Sequence, residues 1–449
     1  MNRRIKRLLL TAARVRPSRQ IALGYGAYML FGWLALMLPF SHVGGAGVLD
    51  HLFTAVSAVS TTGLSTTPTG DTYTLFGEVV ILLLIQLGGI GYMTVGSFVV
   101  LAHRKRLPAF RERVGRAVFT LPEGITVASL VRGAMLFTLF IEAAGAAALY
   151  FAFRDAGSTR PLWDAVFHSV SAFCTAGFGL YGDSMESFRS HVGLNMVLSA
   201  LSLLGAIGFI VMLDLLRRMT GLTRRTTVTT RIILFTTPLM IALATALIFL
   251  DEPLISALPP HQRLMAAFFQ AMSASTTVGF NSVPIGSLSR ATTVVLLILM
   301  VVGASPAGTG GGIKVTSLTA LLSVVWATLR GTTDARFLGH SLPLERIRAA
   351  MSNLIVYQFA LVIGVYLLTL TESASLEDLA FEAASAIGTV GLSRGVTGSL
   401  SPLGKLVVIA LMYVGRVGPV MLGASLLAKE SNGSNRNAPE NRTPEDVAV

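Results

Sequence analysis

The sequence predicts an all-α integral membrane protein in which four parallel repeats surround one pseudo-fourfold path. Each repeat is predicted to contain a membrane helix (M1), a re-entrant pore loop and a second membrane helix (M2), which gives eight transmembrane helices and four pore loops in total. Three observations lead to this fold class: a composition too apolar for a soluble protein, a short motif that occurs four times, and a glycine-rich break inside one apolar span.

The composition indicates a chain that lies almost entirely in the bilayer. Hydrophobic residues make up 53% of it and charged residues 13%, and the mean hydropathy is +0.68. Uncharged runs long enough to cross a membrane recur, for example at 21–40, 79–101, 232–250 and 349–371. We expect the first run to be a retained helix and not a signal peptide, because it lacks a cleavable site and equivalent spans follow it.

The net charge of +12 is explained by membrane topology and not by nucleic-acid binding. Basic residues cluster at the N-terminus and in the segments 104–116 and 217–231, as the positive-inside rule predicts for cytoplasmic loops. Two spans per repeat return the chain to the same side, which predicts that both termini are cytoplasmic, and the acidic residues of the intervening outer loops fit this topology. The single cysteine, Cys174, excludes an intramolecular disulfide framework.

One motif recurs at intervals of roughly a hundred residues. It reads FTAVSAVSTTG at 53–63, FHSVSAFCTAG at 167–177, FQAMSASTTVG at 269–279 and FEAASAIGTVG at 381–391. Before each glycine, Thr stands two positions back, Ala five, Ser six and Phe ten. We assign the phenylalanines to packing, and we expect the serines to bond within or between short helices.

The motif has the properties of an ion-selective loop. The stretches before the glycines (50–60, 163–174, 263–275 and 376–387) are too short to cross a bilayer, and irregular backbone follows them. Such backbone is tolerated at membrane depth only where it is buried in protein or lines a cavity. Backbone carbonyls from four strands can replace the water shell of a cation, and the negative end of each helix dipole favours a cation there.

The predicted cation-binding residues are the glycine and the two residues before it in each copy: Thr61, Thr62, Gly63, Thr175, Ala176, Gly177, Thr277, Val278, Gly279, Thr389, Val390 and Gly391. The alternative is that each glycine only terminates a short helix as its C′ residue. Four copies with fixed Thr, Ala, Ser and Phe offsets weigh against that alternative.

The second span of each repeat carries a glycine-containing motif at a corresponding place: GGIG at 88–91, GAIG at 205–208, GASP at 303–306 and GRVG at 415–418. Helix packing through small residues is sufficient for the first two motifs. The third begins a stretch that cannot remain helical, so we expect only this span to be broken. It is not a phosphate-binding loop, because Ile313 separates Gly312 from Lys314.

We expect this stretch to line a water-filled path. The hypothesis is that residues 304–313 plug the cytoplasmic cavity and must move for conduction. The candidate gating residues are Gly303, Ala304, Ser305, Pro306, Ala307, Gly308, Thr309, Gly310, Gly311, Gly312, Ile313, Lys314 and Arg416.

Three single residues are notable. Arg416 lies in an otherwise uncharged span, so it is either functional or paired with a helix carbonyl. Glu142 also lies within a span, and Arg132 is too far along the same helix to pair with it. His168 stands nine residues before its glycine, where the other copies have Thr54, Gln270 and Glu382, and we expect a polar contact of the pore helix there.

A T-x-G core after a pore helix, in four non-identical copies, resembles the Trk/Ktr/HKT superfamily of potassium transporters. The resemblance covers about 21–428, and the start directly before the first repeat is similar to the KtrB branch. It implies a potassium-translocating subunit with an intramembrane gating loop beneath the filter, near Arg416, whose charge raises an electrostatic barrier. Members with serine at the first filter glycine tend to carry sodium, so glycine in all four copies implies K+, with Na+ as a second possible ion.

The resemblance also implies partners. Relatives work as homodimers with a cytoplasmic ring of KtrA- or TrkA-like RCK subunits that bind nucleotide, and this chain has no organic cofactor of its own. The alternative function is a secondary transporter of another cation or small solute, selective for or coupled to Na+ (symport). Paired acids, a metal cluster or a nucleophile typical of an enzyme were not found in the sequence.

The resulting organisation has six parts. They are a basic cytoplasmic N-terminus (1–20), pore repeat 1 (21–106), pore repeat 2 (107–225), pore repeat 3 with the broken second helix (226–335), pore repeat 4 (336–428) and a polar cytoplasmic tail (429–449).

Overall fold

The computed structural model describes residues 17–91, 126–306 and 308–427. Its main helices are α1 (Pro17–Leu36), α2 (Val48–Ser60), α3 (Leu75–Ile90), α4 (Val127–Asp155), α5 (Pro161–Phe173), α6 (Val192–Ile207), α7 (Phe209–Met219), α8 (Val228–Asp251), α9 (Pro260–Thr276), α10 (Arg290–Val301), α11 (Val315–Leu329), α12 (Leu344–Thr371), α13 (Leu376–Gly388), α14 (Pro402–Val417) and α15 (Pro419–Leu427).

Short elements join these helices. Two are four-residue helical turns, Thr69–Thr72 and Pro253–Ser256, and three are 3-10 turns, Glu186–Phe188, Ile285–Ser287 and Thr397–Ser399. Strands β1 (Arg336–Phe337) and β2 (His340–Ser341) form an antiparallel pair, in which Arg336 lies opposite Ser341.

The four motif-bearing helices α2, α5, α9 and α13, called the short helices below, occupy the centre of the molecule. Each packs between the helix that precedes it and the helix that follows it in its own repeat. The following helix also packs on the next short helix: α3 on α5, α6 on α9, α10 on α13, and α14 on α2. The packing therefore runs in a closed cycle, and the four motif phenylalanines are at most 1% exposed, as their assignment to packing requires.

The helix that follows each short helix begins with a side-chain cap. Thr74, His191, Ser289 and Ser401 each accept a hydrogen bond from a backbone N–H in the first turn of α3, α6, α10 and α14, respectively. Such caps satisfy donors that the helix itself leaves unpaired. In the fourth repeat, the carboxylate of Glu372 at the end of α12 also accepts from the Ser401 hydroxyl at 2.6 Å, which joins the outer ends of two helices.

Among the described residues, three helices are long and apolar enough to cross a membrane: Val127–Asp155, Val228–Asp251 and Leu344–Thr371. The pair α6 and α7 gives a fourth candidate that bends by 91° at Gly208. Large apolar side chains such as Phe31, Phe140 and Phe359 are more than half exposed on the outer helices, as expected for a surface that faces lipid.

The expectation that only the third span is broken is wrong. Helices α3, α6 and α14 end at Gly91, Gly208 and Gly418, each with φ between +85° and +90°. Glycine adopts this conformation readily, whereas a residue with a Cβ is strained in it. The motifs at 88–91 and 205–208, which were attributed to packing, therefore also end a helix, and α7 bends by 91° from α6 at Gly208.

Several predictions fall outside the described residues. These are the basic N-terminus up to residue 16, the basic segment 104–116, the second half of the span 79–101, Ala307 in the glycine-rich loop, and the polar tail. The predicted short helices, by contrast, differ from the observed ones by at most three residues at either end.

Candidate functional site

The four short helices end in the same way, and a threonine makes the turn. Thr61, Thr175, Thr277 and Thr389 have φ between +49° and +59°. In each copy the threonine N–H donates to the alanine carbonyl three residues back, and the next N–H donates to the motif serine carbonyl, as in Thr61 to Ala58 (3.1 Å) and Thr62 to Ser57 (2.9 Å). A β-branched residue in the left-handed region is a backbone outlier, typical of a functional site.

The motif glycine is therefore not the residue that ends the helix. It lies two positions later and also has positive φ, between +66° and +99°. The two consecutive turns produce four short irregular segments, 61–63, 175–177, 277–279 and 389–391, called the central strands below.

The central strands meet one another around a ring. A Cβ on Gly63 would fall within 3 Å of the Ala176 carbonyl oxygen, and the equivalent atoms on the other glycines would meet the next strand in turn. The remaining partners are the carbonyl oxygen of Val278 for Gly177, that of Val390 for Gly279 and that of Thr62 for Gly391. Only glycine fits these positions, and the four contacts close a ring in which each strand meets the next and the fourth meets the first.

Three of the four motif serines bond the chain in or directly after the central strands and not the neighbouring helices, which corrects their assignment, while Ser273 Oγ has no hydrogen-bond partner among the described residues. Ser57 Oγ accepts from the Gly63 N–H at 3.1 Å, and Ser385 Oγ accepts from the Gly391 N–H at 3.0 Å. Ser171 Oγ donates to the Phe178 carbonyl at 2.7 Å. Each of these three hydroxyls ties a strand to the helix that carries it.

The glycine-rich loop lies directly against the threonines of the central strands. The Thr175 hydroxyl donates to Thr309 Oγ1 at 3.0 Å, and the Gly311 N–H donates to Thr277 Oγ1 at 3.0 Å. On the other side the loop is fixed to the end of α6, because the Thr309 N–H donates to the Gly205 carbonyl at 3.0 Å. Beside the loop, a cavity of about 580 Å³ is lined by the loop itself, Arg416 and several aromatic side chains.

Lys314, the last residue of the loop, folds back over it. Its Nζ donates to the Gly310 carbonyl at 2.5 Å and to the Gly311 carbonyl at 3.3 Å. The ammonium therefore closes the loop on itself, and no carboxylate pairs with Lys314 within the described ranges.

Arg416 connects a central strand, the loop and a helix end. Its Nη1 donates to Thr61 Oγ1 at 2.9 Å and to the Thr309 carbonyl at 2.8 Å. Its Nη2 donates to the Gly88 carbonyl and, at 3.4 Å, to the Gly89 carbonyl, which belong to the last turn of α3. Arg416 thus pairs with helix carbonyls, where the dipole favours a cation, and it also contacts the candidate gating loop, while its role in gating stays a prediction.

Glu142 has partners on two neighbouring elements. It is 6% exposed, and its carboxylate accepts from Gln86 Nε2 at 2.9 Å and from Cys174 Sγ at 3.7 Å. Ser169 Oγ donates to the Glu142 carbonyl at 2.7 Å. Glu142 therefore joins α4 to α3 and to the end of α5, and its side-chain partners lie outside its own helix and do not include Arg132.

A set of aspartates thirteen residues before the motif glycine was missed in the sequence. Asp50 accepts from Thr66 Oγ1 at 2.8 Å, Asp164 accepts from the Tyr181 hydroxyl at 2.6 Å, and Asp378 accepts from Arg394 Nε at 2.6 Å. Each bond reaches the chain three or four residues after the glycine. Hydrogen bonds from Ser375 and Arg394 lower the pKa of Asp378 below its usual value. The signal was a fixed offset in three copies, which the fourth, with Ala266, does not share.

Comparisons with known proteins identify the family. The family model for TrkH, a cation transport protein, matches residues 35–433. Ktr system potassium uptake protein B of Bacillus subtilis is 34% identical over 93% of this chain and 95% of its own length, and that of Vibrio alginolyticus is 33% identical over 92% and 91%. Potassium/sodium uptake protein NtpJ of Enterococcus hirae is 34% identical over 95% of this chain and 96% of its own.

A solved structure shares the fold. The crystal structure of the potassium transporter TrkH from Vibrio parahaemolyticus superimposes with a TM-score of 0.73, covering 90% of this chain and 83% of that one, at 22% sequence identity. At that identity the likeness concerns the fold alone, whereas the family model spans most of the chain. The chain belongs to the TrkH family of cation transport proteins.

Proposed function

We propose that this chain is the potassium-translocating membrane subunit of a Ktr/Trk-type uptake system. K+ passes along the axis of the four central strands and loses its water shell to their carbonyl oxygens. The names of the B. subtilis and V. alginolyticus relatives, which describe potassium uptake, support K+ as the ion. Na+ is the second candidate, because the E. hirae relative is named for both ions.

One observation carries the proposal: the cyclic approach of each motif glycine to the carbonyl that precedes the glycine of the next copy. A carbonyl ring needs four strands with no side chain on the axis, and one strand alone cannot encircle an ion. Positive φ at threonine and glycine orients successive carbonyls, and this conformation recurs in all four copies. Shared helix packing by itself does not require such strain.

The test is cation flux into liposomes that contain the purified chain, with Gly279→Asp compared with wild type. We expect Rb+ or K+ uptake by the wild type and its loss in the variant, because the new side chain would collide with the Val390 carbonyl. Gly398→Asp is the matched control, since a Cβ on Gly398 has no neighbour within 4 Å. Equal uptake by wild type and Gly279→Asp would contradict a path through the central strands.

We also propose that the loop Gly303–Lys314 is a gate. It blocks the axis from below, and conduction requires it to leave the threonines of the central strands. Arg416 adds an electrostatic barrier at the same level. The bonds from Thr309, Gly311 and Arg416 to the central strands support this arrangement.

The proposed architecture and assembly follow the family. The molecule has four parallel M1–pore loop–M2 repeats with both termini in the cytoplasm, in a bacterial cell membrane. It works as a homodimer with a nucleotide-binding RCK ring of the KtrA or TrkA type. The cyclic packing of the four repeats and the family membership support this proposal.

A further inference from the structure

The short helices carry a second set of polar residues, one in each copy, nine positions before the motif glycine. They are Thr54, His168, Gln270 and Glu382, and all four are fully buried. A buried polar side chain is costly unless it is hydrogen-bonded, so the partners of these residues indicate what they do.

Glu382 makes the most extensive contacts. Its Oε1 accepts from Ser393 Oγ at 2.5 Å and from the Arg394 N–H at 3.1 Å, and its Oε2 accepts from Thr397 Oγ1 at 2.6 Å. Ser393 and Arg394 are the second and third residues after Gly391. The side chain therefore fixes the backbone at the point where the fourth strand leaves the ring.

His168 and Gln270 reach the same place in their own copies. The Leu180 N–H donates to His168 Nε2 at 3.4 Å, while His168 Nδ1 lies 2.7 Å from the Asp164 carbonyl and is fixed as a donor. Gln270 Nε2 donates to Ser282 Oγ at 3.2 Å. Leu180 and Ser282 are each the third residue after the motif glycine, so three chemically different side chains meet one structural requirement.

The first and third copies show further contacts to the stretch that follows the motif glycine, which is the outer end of each central strand. In the first copy Thr54 is too short for the task, and Asp50 binds Thr66, the third residue after Gly63, at 2.8 Å. In the third copy, which has Ala266 in place of the aspartate, Glu186 from the second repeat accepts from Asn281 Nδ2 at 2.8 Å.

We propose that Glu382, Gln270 and His168 are positioning residues that hold the outer ends of three central strands and thereby set the preference for K+ over Na+. This inference rests on the proposed function. Whether a carbonyl ring selects ions by size or by field strength, it discriminates between them only if its oxygens stay at a defined spacing. Without the hydrogen bonds from these positioning residues, here called the braces, a strand can move inward around the smaller ion. Selectivity for K+ then falls, while the ring itself persists.

The test is competition for Rb+ binding to the purified full chain, with K+ and Na+ as competitors. Binding does not require an open gate. For the wild type, a lower concentration of K+ than of Na+ should displace half of the bound Rb+. The selectivity ratio is the half-displacing Na+ concentration divided by the half-displacing K+ concentration. Glu382→Leu should reduce this ratio about tenfold, or roughly 1.4 kcal/mol. Glu382→Gln should keep the ratio within about twofold, because glutamine can still accept from Arg394 and donate to Thr397.

A second pair of variants tests the inference at another residue, so that the result does not depend on whether the Glu382→Leu variant folds. Gln270→Leu deletes one hydrogen bond, so it should reduce the ratio, but by less than Glu382→Leu. Gln262→Leu makes the same change on the same helix, where the side-chain amide forms an exposed hydrogen bond with His261, and it should leave the ratio unchanged.

The outcomes separate the two proposals. A wild type that does not bind Rb+, or binds it without preferring K+, contradicts the proposed function and the inference with it. A selective wild type whose selectivity survives both Glu382→Leu and Gln270→Leu overturns the inference alone. Equal loss in Glu382→Gln and Glu382→Leu also overturns it, because charge and not the hydrogen-bond brace would then determine selectivity.

Discussion

At the residue scale, the centre of the molecule depends on two successive backbone turns with positive φ, one at threonine and one at glycine. The glycine was predicted from the sequence, since its offset from Thr, Ala, Ser and Phe is the same in four copies. The left-handed conformation of the threonine was not predicted, because threonine disfavours positive φ and no local sequence pattern indicates it here. The surrounding structure imposes it through the two backbone bonds to the short helix.

Arg416 gives the first prediction at this scale. A guanidinium about 5 Å from a passing monovalent cation repels it by roughly 3 kcal/mol at an effective dielectric constant of 20. Arg416→Gln should therefore increase K+ flux into liposomes about tenfold or more, since it also removes the bonds to Thr61 and the Thr309 carbonyl.

Arg416→Lys serves as the control for charge. Lysine keeps the charge but lacks the planar fork that reaches a strand, the loop and a helix end together. Its flux should remain closer to that of the wild type than the flux of Arg416→Gln does. A glutamine variant with unchanged or lower flux, at equal protein incorporation, would show that Arg416 is not a barrier.

At the element scale, the helices that follow the short helices show the limit of pattern reasoning. A glycine pair in an apolar span is compatible with close helix packing and with a break. The third span was recognised as broken because a proline and a run of glycines exclude a helix. The helix ends at Gly91, Gly208 and Gly418 were missed, because single glycines are tolerated in helices and only the tertiary structure shows their positive φ.

The glycine-rich loop gives the prediction at this scale. Deletion of residues 308–311 removes the contacts to Thr175 and Thr277 and part of the material below the ring. Flux through the deletion variant should rise about tenfold, equivalent to a barrier lower by roughly 1.4 kcal/mol. The measurement is initial Rb+ uptake in liposomes, with size-exclusion behaviour as the check on folding. A well-folded deletion variant with no increase in uptake would refute the plug.

At the scale of the whole molecule, most of what could be predicted from the sequence came from the fourfold internal repeat. It located the short helices and the central strands to within a few residues, because both depend on a motif that every copy keeps. The braces were harder to predict. Glu382, Gln270 and His168 differ in chemistry, and the aspartate thirteen residues before the glycine is absent from the third copy. Their common role becomes visible only when the partner three residues after each glycine is known.

The central claim is that a cation sits on the axis of the four central strands. The most direct measurement is an experimental structure with K+ replaced by Rb+, in which anomalous scattering locates the ion. We expect Rb+ between the carbonyl oxygens of Thr62, Ala176, Val278 and Val390, each contributed by a different copy of the motif. Anomalous density confined to other parts of the molecule, with the ring well ordered, would contradict the account.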